Sequence, residues 1–441
     1  MILNFIRHIT PKPLKSVYHF IMAFLGALAY GFPSRKLHVT GVTGTSGKST
    51  TIYFLTQLLE GLGKRACALS TIEFVLPSGR RLNDKKMTML GRFFIQRFLR
   101  RAVAEGCEYA LVETTSEGVV QHRHRFIKYD IGVLTNLYPE HIESHGSFKN
   151  YKAAKIAFFK HIARRAAKRV HGKNVLRVLI ANCENQYAPE FLQSFSVDRV
   201  VCFGGKHQWH CACADTRVVL DGIETGRNGI SFKFFGKEVH TYILGEHNAD
   251  NIAAAVAVLV ALGFEEERIL KLLPTLKQPP GRLERIEEGQ NFHIMIDYAF
   301  EPRAMEALYK TVEIVPHKRI LHVFGATGGG RDKSRRAILG EFVAQHADVL
   351  FLTDEDPYDE DPMSIIEQVA RGAFIGGAIE GKNLFKILDR REAIRRALKE
   401  AHAGDLVLIT GKGSEQAMVV AGGKKVSWDD RAVVRELLRS K

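Results

Sequence analysis

Residues 41–50 read Gly41-Val42-Thr43-Gly44-Thr45-Ser46-Gly47-Lys48-Ser49-Thr50, and a short apolar run from Leu37 leads straight into them. Downstream, Ile52, Leu55, Leu58, Leu59 and Leu62 recur at helical spacing until Gly63 ends the pattern. A glycine-rich turn between a strand and a helix is the setting of a phosphate loop. There, backbone N–H groups and the helix N-terminus converge on phosphate oxygens. Gly44, Thr45, Ser46, Gly47 and Thr50 form the cradle, Lys48 reaches the β- and γ-phosphates, and the Ser49 hydroxyl is a Mg²⁺ ligand. Val42 stands where the strict motif has glycine.

Working outward, strand-like runs at Tyr109–Glu113, Ile131–Thr135 and Val178–Ala181 alternate with helical stretches, the pattern of a mostly parallel sheet covered by helices. One helix is expected over 149–170 and another from Asn248 to Leu262. Residues 198–244 read differently, with turn signals at Asp221-Gly222 and Asn228-Gly229, and predict a small antiparallel insert. After the linker-like Gln278-Pro279-Pro280-Gly281, a second strand–helix series begins at Ile294–Asp297, Ile320–Phe324, Val349–Thr353 and Leu406–Thr410. The fold class is therefore α/β: a central phosphate-loop ATPase domain over 37–278 and a Rossmann-like domain over 279–441. A short apolar segment, 1–36, precedes them.

Composition sets the bounds. A chain of 441 residues with 46% hydrophobic and 25% charged residues is globular material, neither disordered nor collagen-like. Its net charge of +15 suits acidic partners, whether phosphorylated or carboxylated substrates, an anionic membrane surface or nucleic acid. The six cysteines show no C-x-x-C spacing, so a reducing, cytoplasmic setting is expected. Cys202, Cys211, Cys213 and His210 could gather round a metal. Val17–Phe32 imitates a secretory signal but is shorter than the roughly 20 residues of a spanning helix. It is expected to pack on the domain or lie on the inner membrane face.

Further strand ends carry polar residues. Glu113, before Thr114-Thr115-Ser116-Glu117, suits a Mg²⁺ shell but reads first as a helix cap. Gln121-His122-Arg123 offers an amide and a guanidinium to anionic groups, or makes a solvated turn. His141 and Lys155 read by default as a structural hydrogen-bonder and a solvated helix-face residue.

Taken together these stretches resemble the Mur ligases, and within them the type that forms UDP-N-acetylmuramoyl-tripeptide. The resemblance runs from about Leu37 to the C-terminus on GVTGTSGKST, VETTSEGVVQHR, TNLYPEHIESHG with YKAAK, GEHNADNIAAA, PPGRLERI, IDYAFEP, VFGATGGGRDKSRR, TDEDPYDEDP and GKGSE. It implies an ATP-dependent amide ligase of peptidoglycan precursor synthesis that works through an acyl-phosphate with two Mg²⁺ ions. By that resemblance Lys48, Glu113, His141 and Lys155 are catalytic. Ser49, Glu113, His141 and an N-carbamylated Lys155 hold the metals. Asn248, Asn251, Arg282 and Asp297 contact ATP. Thr115, Gln121 and Arg123 contact the muramyl dipeptide. Arg331, Asp356, Tyr358, Gly411 and Glu415 line the amino-acid pocket.

Departures from the family pattern are specific. Only 36 residues precede Leu37, too few for the family's uridine-binding domain. Phe300 and Ser414 replace histidines, and Asp356 and Tyr358 replace the asparagine and arginine of a DNPR motif. Without that arginine, a diamino acid such as L-lysine is the expected acceptor. Two alternatives stand beside this reading. One is a Mur-like amidotransferase subunit acting on lipid-linked muropeptide; the other is a nucleotide-dependent nucleic-acid-binding protein. On the preferred reading the partners are small molecules, with no nucleic acid, a peripheral membrane contact through residues 14–32, and a monomeric state.

Overall fold

The computed structural model describes residues 12–139, 145–205, 209–330 and 333–440. His141 and Arg331 lie outside the described residues.

The first sheet contains β1 (His38–Thr43), β2 (Ala66–Leu69), β3 (Glu73–Leu76), β4 (Gly79–Leu82), β5 (Tyr109–Glu113), β6 (Ile131–Leu134), β7 (Val178–Asn182), β8 (Arg199–Gly204), β9 (Thr216–Gly226), β10 (Gly229–Phe234) and β11 (Lys237–Thr241). Their spatial order is β11-β10-β9-β8-β7-β6-β1-β5-β2-β3-β4. β1 lies between β5 and β6, parallel to both. From β1 the chain crosses to β2, returns to β5, and then passes to β6 on the far side of β1. The loop leaving β1 therefore opens where successive strands go to opposite sides, which is where open α/β sheets bind ligands. Register fixes its neighbours: Val42 pairs with Glu113 and Thr43 with Leu134.

Helices cover both faces. Ile52, Leu55, Leu58 and Leu59 of α2 (Lys48–Gly61) pack in one core with Ile252, Val256 and Leu259 of a helix over His247–Ala261. On the other face, Leu99 of α3 (Arg92–Ala104) shares a core with Phe158, Phe159 and Ile162 of the helix Phe148–Ala163. That second helix is shorter than the 149–170 the sequence predicts. Residues 169–174 form a hairpin instead, and Lys168 turns inward to an ion pair with buried Asp130 at 2.6 Å.

The 198–244 region, expected as a small antiparallel insert, is antiparallel over its latter part and also continues the main sheet. β8 is parallel to β7, the start of β9 is parallel to β8, and only β9, β10 and β11 run antiparallel. Asp221-Gly222 is not a turn but a bulge inside β9, where the register shifts and Gly222 takes a φ of 56°. A bulge bends and twists a long strand without ending it.

The N-terminal helix, α1 (Lys12–Ala29), buries Ala23, Gly26 and Ala27 against the body, sets the Phe20 and Phe24 rings against Phe126, and hydrogen-bonds His122 through Ser16. Leu14, Val17, Tyr18, Phe20, Ile21, Phe24, Leu25 and Leu28 are exposed, so most of its apolar surface is not core. No described helix is long and apolar enough to cross a membrane.

The second sheet contains β12 (Glu284–Arg285), β13 (His293–Ile296), β14 (Ile320–Phe324), β15 (Val349–Leu352), β16 (Leu384–Lys386) and β17 (Leu406–Ile409), in the order β12-β13-β17-β14-β15-β16. All but β12 are parallel to their neighbours. Gln278 joins the two halves: its side chain accepts from the Leu244 N–H and donates to the Arg282 carbonyl.

Candidate active site

The phosphate-loop sequence builds the expected turn into α2. Asn136, just beyond β6, clamps it: the Thr45 N–H donates to the Asn136 carbonyl at 3.0 Å and the Ser46 N–H to its Oδ1 at 2.9 Å. Gly47 has a φ of 78°, and a Cβ there would lie 2.2 Å from Asn251 Oδ1. Glycine therefore lets the helix carrying Asn251 approach the loop. Asn251 donates to Asn248 Oδ1 at 2.9 Å, and Asn248 donates to the Leu244 carbonyl at 2.7 Å.

Two lysines meet at this loop. Lys48 Nζ donates to the carbonyls of Gly44 (3.1 Å) and Thr45 (2.8 Å). Lys155, only 2% exposed, donates to the Gly44 carbonyl at 2.7 Å and stands over the Tyr151 ring. It is thus a buried loop-facing group and not a solvated one.

Glu113 ends β5 beside α2. Its Oε2 accepts from the Ser49 hydroxyl at 2.8 Å and from the Thr71 N–H at 2.7 Å. A hydroxyl and a buried carboxylate in contact form a hard-oxygen set that fits Mg²⁺. Thr115 caps a short helix, Ser116–Val120, by accepting from the Gly118 N–H. Arg123 donates to Gln121 Oε1 at 2.6 Å and to the Met89 carbonyl, which joins two of the three expected muropeptide contacts. His145 contacts Ser116 Oγ at 3.0 Å and was not singled out in the sequence, although it sits in a quoted motif.

From the second half, Arg282 stacks 4.0 Å above the Tyr298 ring, and Asp297 accepts from the Leu283 and Ala299 N–H groups. Arg303 lies 4.5 Å over the ring of Tyr138, which follows the Asn136 clamp.

A cavity of about 110 Å³ lies between the halves, lined by Thr71 and Lys86 from the first and Tyr298, Glu355, Asp356, Tyr358, Gly411 and Glu415 from the second. Asp356 Oδ1 accepts from Lys412 at 3.0 Å and from the Val419 N–H at 2.7 Å. Lys86 crosses from the first half to pair with both Asp356 and Glu415, and Lys412 also reaches Glu415 at 2.9 Å. Burial alone would lower the Lys86 ammonium, but Glu415 and Asp356 outweigh it and hold it above its ordinary value. Glu355 is different. Thr327 donates to its Oε1, while its Oε2 is buried without a hydrogen-bond partner among the described residues. Burial first, then the Asp356 charge, push its carboxyl above the usual carboxylate range. Gly411, at φ 100°, lies so near that a Cβ would come 2.3 Å from Glu355 Oε2. Thr71 connects the two clusters, since it bonds Glu113 and also lines the cavity.

The structure thus brings Lys48, Ser49, Glu113, Lys155 and Asn251 together, and Asp356, Tyr358, Gly411 and Glu415 together across the cavity. Lys86, Lys412 and Glu355 were missed. Lys412 and Glu355 stand inside quoted motifs, whereas Lys86 gives no signal in the sequence.

Comparison with known proteins agrees with this arrangement. The Mur ligase middle domain matches residues 42–259, and the Mur ligase glutamate ligase domain matches residues 281–413. A UDP-N-acetylmuramoyl-L-alanyl-D-glutamate--2,6-diaminopimelate ligase of Geobacillus kaustophilus is 32% identical over 95% of this chain and 82% of its own length. A UDP-N-acetylmuramyl-tripeptide synthetase of Roseiflexus sp. is 32% identical over 95% and 81%. A solved diaminopimelate ligase of the same type superimposes with a TM-score of 0.59 at 26% identity, covering 92% of this chain and 78% of that one. A MurF ligase from Thermotoga maritima in complex with ADP shares the fold, with a TM-score of 0.63 at 18% identity over 95% and 82%. On its fold, its site and these matches, the chain belongs to the Mur ligase family, ligases that form peptide bonds with ATP.

Proposed function

We propose that this protein adds an amino acid to the free carboxyl group of a UDP-N-acetylmuramoyl dipeptide in peptidoglycan precursor synthesis. The carboxylate attacks the γ-phosphorus of ATP and ADP leaves. The amine then attacks the acyl carbon of the acyl-phosphate, and phosphate departs as the amine loses its proton. Lys48 holds the phosphates; Thr115, Gln121 and Arg123 hold the dipeptide. Ser49, Glu113, His141 and Lys155 would hold two Mg²⁺ ions, with Lys155 carbamylated when CO₂ adds to its neutral amine with loss of a proton. Bound there, the ions offset repulsion between triphosphate and carboxylate. Enclosure between the halves keeps water from the acyl-phosphate. The observation that carries this reading is Thr71, which bonds Glu113 at the phosphate loop and lines the acceptor cavity.

The acceptor is a diamino acid such as L-lysine. Asp356 and Glu415 already have Lys86 and Lys412, so the distal ammonium pairs with Glu355 Oε2. ATP as co-substrate supports a cytoplasmic site of action. The exposed apolar residues of α1, with Lys15 on the same helix and Arg35 over the Phe32 ring that meets Phe24, support a peripheral contact with an anionic bilayer through residues 14–32.

The test is ATP hydrolysis by the purified chain. Hydrolysis that needs both UDP-muramyl dipeptide and an amino acid, with a product heavier by one residue, supports the proposal. Turnover only on lipid-linked muropeptide favours the first alternative, and stimulation by RNA or DNA favours the second. Diaminopimelate coupled far better than lysine overturns the acceptor assignment.

A further inference from the structure

Away from the nucleotide loop, four of the six cysteines converge. Cys183 follows β7, Cys202 lies within β8, and Cys211 and Cys213 belong to the segment before β9. The Sγ atoms of Cys183, Cys202 and Cys211 all lie within 4.8 Å of one another, and Cys213 Sγ is 2.7 Å from Cys211 Sγ. Cys183 and Cys202 are joined as a disulfide, while Cys211 and Cys213 are free thiols. Cys183, Cys202 and Cys211 are buried, and Cys213 is partly so. His210, which the sequence offered as a fourth ligand, is replaced in the cluster by Cys183.

We propose that these four cysteines, in their thiol form, bind one Zn²⁺ ion as a tetrathiolate. A zinc thiolate site places its sulfurs about 2.3 Å from the ion and therefore about 3.8 Å apart. Cys183, Cys202 and Cys211 already lie within 4.8 Å of one another and Cys213 adjoins them through Cys211, so side-chain rotation has to bring the fourth sulfur to that spacing. A second shell is present: Gln193 Nε2 points at Cys211 Sγ from 3.7 Å. Arg217, opposite Cys202 in the sheet, contributes positive charge near a site of net charge −2.

The chemistry balances simply. Four thiols lose four protons to solvent as four Zn–S bonds form. The disulfide form enters this state only after a thiol or phosphine reductant delivers two electrons and two protons. Disulfide and metal site are thus exclusive states of the same sulfurs. The ion would tie the ends of β7 and β8 to the segment before β9. Asn185, two residues past Cys183, donates to the Leu137 carbonyl at 3.0 Å, so this corner adjoins the segment that clamps the phosphate loop.

The test uses the full chain, reduced with a phosphine under anaerobic conditions and titrated with Co²⁺, then Zn²⁺. Expected are saturation at one ion per chain and visible bands with near-ultraviolet sulfur-to-cobalt charge transfer, bleached by zinc. Cys213→Ser, at the least buried ligand, should lose the tetrathiolate spectrum. Gln193→Ala should weaken binding about 10–100-fold. Protein purified without chelator should carry one zinc per chain, and stripping that zinc should lower its melting temperature. The proposal is overturned if the reduced wild type takes up no cobalt, or if zinc-loaded protein retains the Cys183–Cys202 disulfide.

Discussion

Lys48 and Lys155 donate to the same oxygen, the carbonyl of Gly44, at 3.1 and 2.7 Å, although they stand 107 positions apart in the sequence. Two ammonium groups share one peptide dipole, with Tyr151 beneath the second. Such a concentration of positive charge under a glycine-rich loop is a device for anions. It gives the second lysine a reason to be buried.

Lys155→Ala should lower kcat by about 10²–10³-fold, the size for loss of one preorganised charge-stabilising group. Acetate or propionate should restore part of the rate if the native side chain acts as a carbamate. Undiminished turnover in the variant, measured by phosphate release, would dismiss that role.

Glu355 should govern acceptor binding and its pH dependence. Its folded-state pKa is raised, so the protonated form persists to higher pH than for an ordinary carboxyl. Affinity for a cationic acceptor should therefore rise as pH increases through that raised value and fall on acidification. In Glu355→Gln this dependence in KM should vanish, while ATP affinity stays the same. Tyr358→Arg should shift preference from lysine toward diaminopimelate, read as a ratio of kcat/KM values.

His322 should contribute to acid lability. It is fully buried between the Tyr309 hydroxyl (2.8 Å) and Thr410 Oγ1 (2.9 Å). Burial, then the Arg390 charge, push its pKa down to about 3. The unfolded chain binds a proton near pH 6.5, and the folded chain does not until about 3. Stability from this group is present above pH 6.5 and is lost as pH falls toward 3. Urea midpoints between pH 7 and 4 should decline less steeply in His322→Gln than in the wild type; equal slopes would count against this account.

Asp130 should be a stability residue with no part in chemistry. It accepts from Lys168 at 2.6 Å and from the Val39 N–H at 2.8 Å, with Arg165 beside it. Asp130→Ala would leave buried cations uncompensated, at a cost of about 3–5 kcal/mol. Chemical denaturation should show this loss, with KM values unchanged in whatever folded fraction remains.

Much of this was legible from the sequence because it is local. The strand–loop–helix around Lys48, the strand end at Glu113 and the parallel alternation all follow from short-range patterns. The errors arose where partners are distant. Residues 198–244 alternate as an insert would, but β8 pairs with β7, and only three-dimensional pairing reveals that the sheet continues. Asp221-Gly222 carries a turn's composition, yet flanking pairings on β10 hold it as a bulge. Lys86 was invisible because its meaning comes from Asp356, 270 residues later. The apolar run near the N-terminus announced a helix but not its exposure, since hydrophobicity does not say which face the body will cover.

Lys86 has a consequence for how the two halves come together. With the halves in contact, Lys86 and Lys412 balance Asp356 and Glu415 charge for charge. If they part, Lys86 leaves with the first half and the second keeps a net negative charge on its exposed wall. That charge would stay unbalanced until Lys86 returned. Closure of the two halves would thus be an ion-pairing step in its own right, separate from the pairing of a substrate ammonium with Glu355.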